Sequence, residues 1–169
     1  MVGGNTKRCV YDIICIMKTF LIIAAMGLAG CLSTPPAAPT CWTIEYPPAA
    51  GAQRGRVSLN VRAPFDGTQL AILRADGSLA FDAYNTFAAR PKLLLKAAAE
   101  DAGLVGEIEV TRLALDCRQK GVRSAVVELT LYREGKLARA SGSAAVSSPA
   151  DFSAAFSAAF AAAVKSLKD

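Results

Sequence analysis

The side chains with chemistry to offer are five cysteines, a scatter of carboxylates and a few basic clusters, in a chain with no histidine. Without histidine, Ser-His-Asp and Cys-His catalysis and the commonest zinc ligand sets are excluded. No glycine-rich phosphate loop of either usual type is present. Asp66, Asp76, Asp82, Glu107, Glu109, Asp116 and Glu128 could supply an acid pair, yet turns and solvent faces account for each of them more cheaply. The expectation is a protein that is not an enzyme, with no catalytic residues, no metal and no cofactor beyond a covalent lipid.

That lipid is expected on Cys31. Lys18 is followed by the apolar run Phe20 to Leu28, a charged start and a greasy stretch too short to span a bilayer. Leu28-Ala29-Gly30-Cys31 closes it and resembles the lipobox of bacterial lipoproteins, whose small residues admit the chain to the lipoprotein signal peptidase. The resemblance implies diacylglyceryl attachment to the Cys31 sulfur, cleavage before it and acylation of the new amine. Each buried methylene contributes about 0.8 kcal/mol, so two or three acyl chains hold a folded domain on a membrane. Leu32 stands where enteric bacteria place Asp to retain a lipoprotein at the inner membrane, so the outer membrane is expected, with the domain facing the periplasm. Met17, directly before Lys18, is an alternative start, which would make residues 1–16, with Cys9 and Cys15, an over-called beginning.

Residues 1–30 are thus the signal peptide, and 31–40 are the lipidated cysteine and a tether that Pro35, Pro36 and Pro39 stiffen toward extended conformation. Residues 41–169 form a single periplasmic domain. After Gly30 the chain keeps 16 basic and 13 acidic residues, too mild an excess to imply nucleic acid. Cys41 and Cys117 are then an even pair in an oxidising compartment, predicted to bond if their strand ends are neighbours and otherwise to remain as two buried thiols.

The elements that position these residues follow from local pattern. Trp42 to Tyr46 is β-rich and stopped by Pro47, and Val57, Leu59 and Val61 alternate with polar residues until Pro64. Leu70–Arg74 and Leu79–Phe81 flank Asp76-Gly77, a tight hairpin. A helix is predicted over roughly 90–102, with Pro91 in its first turn and Gly103 as its left-handed cap. A second β block runs from Glu107 to Val146. Ile108 and Val110 differ in parity from Leu113 and Leu115, which predicts a bulge near Thr111-Arg112. The odd positions of 125–133 are the buried set, and Glu134-Gly135-Lys136 turns the chain into a last strand rich in Ala, Ser and Gly, a surface for close approach.

Ser148-Pro149-Ala150-Asp151 resembles a capping box, and Phe152, Phe156 and Phe160 recur every four residues, continued by Val164 and Leu167. The stripe reads as core. Its other reading is a greasy groove for a lipid or partner, with the alanine-rich opposite side free to meet another subunit in a homo-oligomer. Arg54 and Arg56, and Arg118, Lys120 and Arg123 in a loop, could meet lipid headgroups or an acidic partner, or be solvated.

The order of lipobox, proline-rich tether, Trp42-Thr43-Ile44, Val57-Leu59-Val61 with Pro64, Leu70–Arg74 and Tyr84-Asn85-Thr86-Phe87-Ala88-Ala89-Arg90-Pro91 resembles the ABC-type transport auxiliary lipoproteins. These are the lipoprotein partners of MCE lipid-transport systems. Family members usually carry Trp where Phe87 stands here. The resemblance implies an α+β fold, a mainly antiparallel sheet with two helices packed against it. It implies a non-catalytic adaptor that docks an MCE-domain protein, with an ABC transporter or permease at the inner membrane. Tyr84, Phe87 and Pro91 fall on the motif, with a structural role in positioning the helix. Two other functions remain open: a scaffold for another envelope secretion or export apparatus, and a direct lipid carrier.

Overall fold

The computed structural model describes residues 40–47 and 53–168, so the expected signal segment with Met17, the expected lipobox with Cys31 and the expected tether through Pro39 lie outside the described residues. The α+β class expected from the chain is the one found. Its strands are β1 (Thr40–Trp42), β2 (Arg56–Val61), β3 (Gln69–Leu73), β4 (Leu79–Phe87), β5 (Val105–Asp116), β6 (Ser124–Arg133) and β7 (Lys136–Ala145). Helix α1 (Pro91–Asp101) separates β4 from β5, and a 3-10 turn (Pro149–Asp151) leads into α2 (Phe152–Lys168).

The seven strands form one open mixed sheet in the order β1-β4-β3-β5-β6-β7, with β2 beside β5. The long strands β5, β6 and β7 pair antiparallel, as do β3 and β4. The short ones supply the parallel pairings. β2 runs along Val105–Val110 of β5, and β3 meets the same strand further on, at Leu115–Asp116. Both can share one edge of β5 because they advance in the same direction and are about half its length.

Between these two contacts lies the predicted bulge, where the β5–β6 register shifts between Val110 and Arg112. It resets the parity. Ile108 and Val110 pair with Leu131 and Leu129, while Leu113 and Leu115 pair with Val127 and Ala125, so all eight side chains are buried on one face. Without the extra residue, half of them would turn to the opposite face of the sheet.

The turns carry out their local chemistry. Glu134 and Gly135 both have positive φ, the requirement of the two-residue turn that joins strands with right-handed twist. Pro91 opens α1. At its end the Gly103 N–H donates to the Glu100 carbonyl and the Leu104 N–H to that of Ala99, each at 3.0 Å, satisfying carbonyls the helix leaves free.

Two strands differ from expectation, β4 by running on to Phe87 past its predicted end at Phe81, and β1 at its end. β1 stops at Trp42, and Thr43 to Tyr46 lies against α2 instead of the sheet. Ser153 Oγ donates to the Thr43 carbonyl at 2.7 Å, and the Glu45 N–H donates to Ser157 Oγ at 3.0 Å. The helix serines thus offer this backbone the partners that a neighbouring strand would have offered.

Candidate functional site

Helix α2 positions the phenylalanine stripe, and its start is fixed by sequence. The Asp151 carboxylate accepts from the Ser148 N–H at 2.9 Å and from its hydroxyl at 3.0 Å. From there Phe152, Phe156 and Phe160 point into the sheet. Each meets one aromatic ring edge to face: Trp42 at 4.5 Å between centroids, Phe87 at 5.6 Å and Tyr46 at 6.2 Å. All three are buried, Phe156 and Phe160 completely. They are core, and the reading of Phe152, Phe156 and Phe160 as a lipid or partner groove is corrected accordingly. A ring already packed against another ring presents nothing to a ligand.

The family-motif residues divide. Phe87 is buried against Phe156 of α2, and Pro91 is buried at the first position of α1, so the segment touches one helix and begins the other. Tyr84 is 63% exposed and packs no helix, which corrects its expected structural role. It sits at a break in β4: Leu70 pairs with Asp82 and Gln69 with Thr86, leaving Ala83, Tyr84 and Asn85 without a partner on β3. Asp82 holds this segment, accepting from the Tyr84 and Asn85 N–H groups at 2.8 and 3.2 Å and from Asn85 Nδ2 at 2.6 Å. Partial burial opposes ionisation of Asp82, but these hydrogen bonds outweigh it and keep its carboxyl below the usual range.

The loop basics do not converge into a site. The Arg118 guanidinium is matched by Asp116, with contacts of 2.6 to 3.1 Å, and that bonding lowers the Asp116 carboxyl below its ordinary range. Arg123 donates to the Ser147 carbonyl at 3.2 Å, and Lys120 is exposed. Arg54 pairs with Asp101 at the end of α1, at 2.8 Å. Asp76 likewise serves its turn by accepting from the Ser78 N–H.

Cys41 and Cys117 are free thiols, so the predicted bond is corrected. Cys41 lies on β1 and Cys117 follows β5, with β4 and β3 between them. Three strand spacings amount to about 14 Å, well beyond the 4.4–6.8 Å between Cα atoms that a disulfide spans.

Sequence reasoning missed the polar face of the sheet. Arg62, Glu109, Thr111, Glu128, Thr130 and Arg139 line a shallow depression on the side away from the helices. Arg112 and Glu128 pair across β5 and β6 at 2.8 Å, and Thr130 stands between Glu109 and Arg139 in one cross-strand row. The signal was present in the even positions of β6, Glu128, Thr130 and Tyr132, which oppose the buried odd ones. This face can bind polar groups. Among the described residues no cluster of three or more His, Cys, Asp or Glu converges as for a metal.

No family model matches the chain, and neither does any curated protein. Among solved structures it is similar to protein XCC0632 of Xanthomonas campestris, described under the family model DUF330. The two share 18% identity, 78% of this chain, 91% of the other and a TM-score of 0.53. That likeness shows a shared fold. An uncharacterised protein aligns at 15% identity over 62% of this chain and 80% of its own, with a TM-score of 0.37.

Proposed function

We propose that this chain is a lipid-anchored auxiliary lipoprotein of an ABC-type, MCE-linked intermembrane lipid transport system. It works as a non-catalytic adaptor on the periplasmic side of the outer membrane. Cys31 carries the anchor, residues 32–40 give the domain reach, and the domain docks the MCE-domain protein.

The observation that supports the reading best is the seating of the aromatic segment of β4. Phe87 enters the core against Phe156 and Pro91 begins α1, the role the family resemblance gives to that segment. The α+β fold it implies is the fold present, and it is shared with the DUF330 protein from Xanthomonas. The carrier alternative loses its supposed groove, because the phenylalanine stripe is filled by the protein's own rings.

Association with an MCE-domain protein from the same genome is the direct test. Native mass spectrometry of protein extracted from cells separates adaptor from carrier: the adaptor carries its covalent acyl chains and no further lipid, whereas a co-purifying lipid in stoichiometric amount would sink the adaptor reading.

A further inference from the structure

The sheet ends at β7, whose outer edge has no partner among the described residues. The two-residue turn makes Arg133 and Lys136 the hydrogen-bonded pair that closes the hairpin, so Ala138, Ala140, Gly142 and Ala144 bond back to β6. The N–H and C=O groups of Leu137, Arg139, Ser141, Ser143 and Ala145 therefore point away from the sheet. No proline and no register shift interrupts this ten-residue edge; what blunts it is the charge of Lys136 and Arg139, which repels a basic strand and admits an acidic one.

Charge and shape select what can pair there. β7 carries Lys136 and Arg139 and no acid, and Glu134 in the turn before it is paired with Arg133. Lys136 and Arg139 make no ion pair among the described residues. Above the edge, the flank of α2 turned away from Ser153 and Ser157 is Ala158, Ala162 and Ser166, all exposed and small. An added strand would place one set of side chains against these small side chains and the alternate set beside Arg139 on the polar face.

Two other occupants fit less well. A second copy pairing β7 with β7 would set the cations Lys136 and Arg139 against the same two cations of its twin, and like charges on paired strands repel. The chain's own tether joins at Thr40 on the opposite edge of the sheet, five strand spacings or about 24 Å away. Its eight residues, 32–39, include three prolines and can do no more than cover that distance.

We propose that the outer edge of β7 docks an extended segment of a partner protein in which apolar residues alternate with acidic ones. Main-chain hydrogen bonds to residues 137–145 would hold it, and Arg139 would choose the charge. The proposal rests on the function given above only for cleavage before Cys31, which sets the length of the tether.

The test uses the full chain in detergent micelles and two decapeptides, (Ile-Glu)5 and (Ile-Lys)5. Binding of (Ile-Glu)5 should slow hydrogen exchange at Leu137, Arg139, Ser141 and Ser143, whose amides are otherwise free. Ser141→Pro removes an outward N–H without touching β6 and should weaken binding about tenfold or more. Arg139→Glu, a surface change, should weaken (Ile-Glu)5 and strengthen (Ile-Lys)5. No binding of (Ile-Glu)5, protection elsewhere on the domain, or an affinity indifferent to Arg139→Glu would overturn the proposal. Because neither peptide is an MCE protein, such a failure would leave the adaptor function standing.

Discussion

Gly142 on β7 lies directly against the backbone of Ala159 on α2: a methyl group on Gly142 would overlap the Ala159 carbonyl oxygen and come within 2.6 Å of the Ala163 amide nitrogen. The small residues of the last strand thus let the α2 backbone come down onto β7 while its phenylalanines fill the core beside it. Gly142→Ala must lift α2, and the lift reaches Phe156 and Phe160 in the centre of the core. The expected loss is about 1–3 kcal/mol in denaturant unfolding, against less than about 0.5 kcal/mol for Ser141→Ala next to it. Equal effects of the two would refute the close approach.

The aromatic pairs predict a second asymmetry. Phe156 is fully buried against Phe87, while Phe81 on β4 is 44% exposed. Phe156→Ala should cost about 3–5 kcal/mol, and Phe81→Ala under about 1 kcal/mol. Thermal melts of both variants decide this, and a mild Phe156→Ala would mean that the stripe is not core.

Stability should also fall in acid through Asp82. Its carboxyl titrates lower in the folded chain than in the unfolded one, because hydrogen bonds from Tyr84 and Asn85 outweigh the cost of partial burial. A depressed folded pKa adds stability that is present above about pH 4 and is lost as the pH falls through the folded value. Asp82→Asn should therefore give a shallower decline between pH 5 and pH 2, about those limits by the usual carboxylate range. Parallel curves for the two proteins would contradict the role assigned to Asp82.

Thiol chemistry tests the topology. In the mature chain Cys41 and Cys117 should both be alkylated without reduction. Cys41 is exposed, whereas burial pushes the Cys117 thiol up and shields it, so Cys41 should react about tenfold faster or more. Alkylation that appears only after reduction would show a bond, and with it a different strand order.

What the sequence made legible was local. The capping residues Ser148 and Asp151, the cap at Gly103, the bulge after Val110 and the Glu134-Gly135 turn each depend on a few neighbouring residues, and each was readable. Strand partners are nonlocal choices. Nothing in Val57-Leu59-Val61 says that β2 lies parallel to β5, and nothing near Cys41 says that two strands separate it from β5. Tyr84 was misplaced for a related reason. Its exposure follows from the register change between β3 and β4, which only the pairing reveals. The polar face was half visible, since burying the odd positions of β6 leaves Glu128 and Thr130 on the other side, but Arg62 and Arg139 join them only through the sheet.

The proposed adaptor function stands or falls on one measurement. A tagged copy of the full chain, expressed in its own bacterium and purified in mild detergent, should bring an MCE-domain protein with it in near-stoichiometric amount from the membrane fraction. The Cys31→Ser chain should be absent from that fraction and bring none. Recovery of the folded, lipidated chain without any MCE-domain protein, or with the components of a secretion apparatus in its place, would contradict the account.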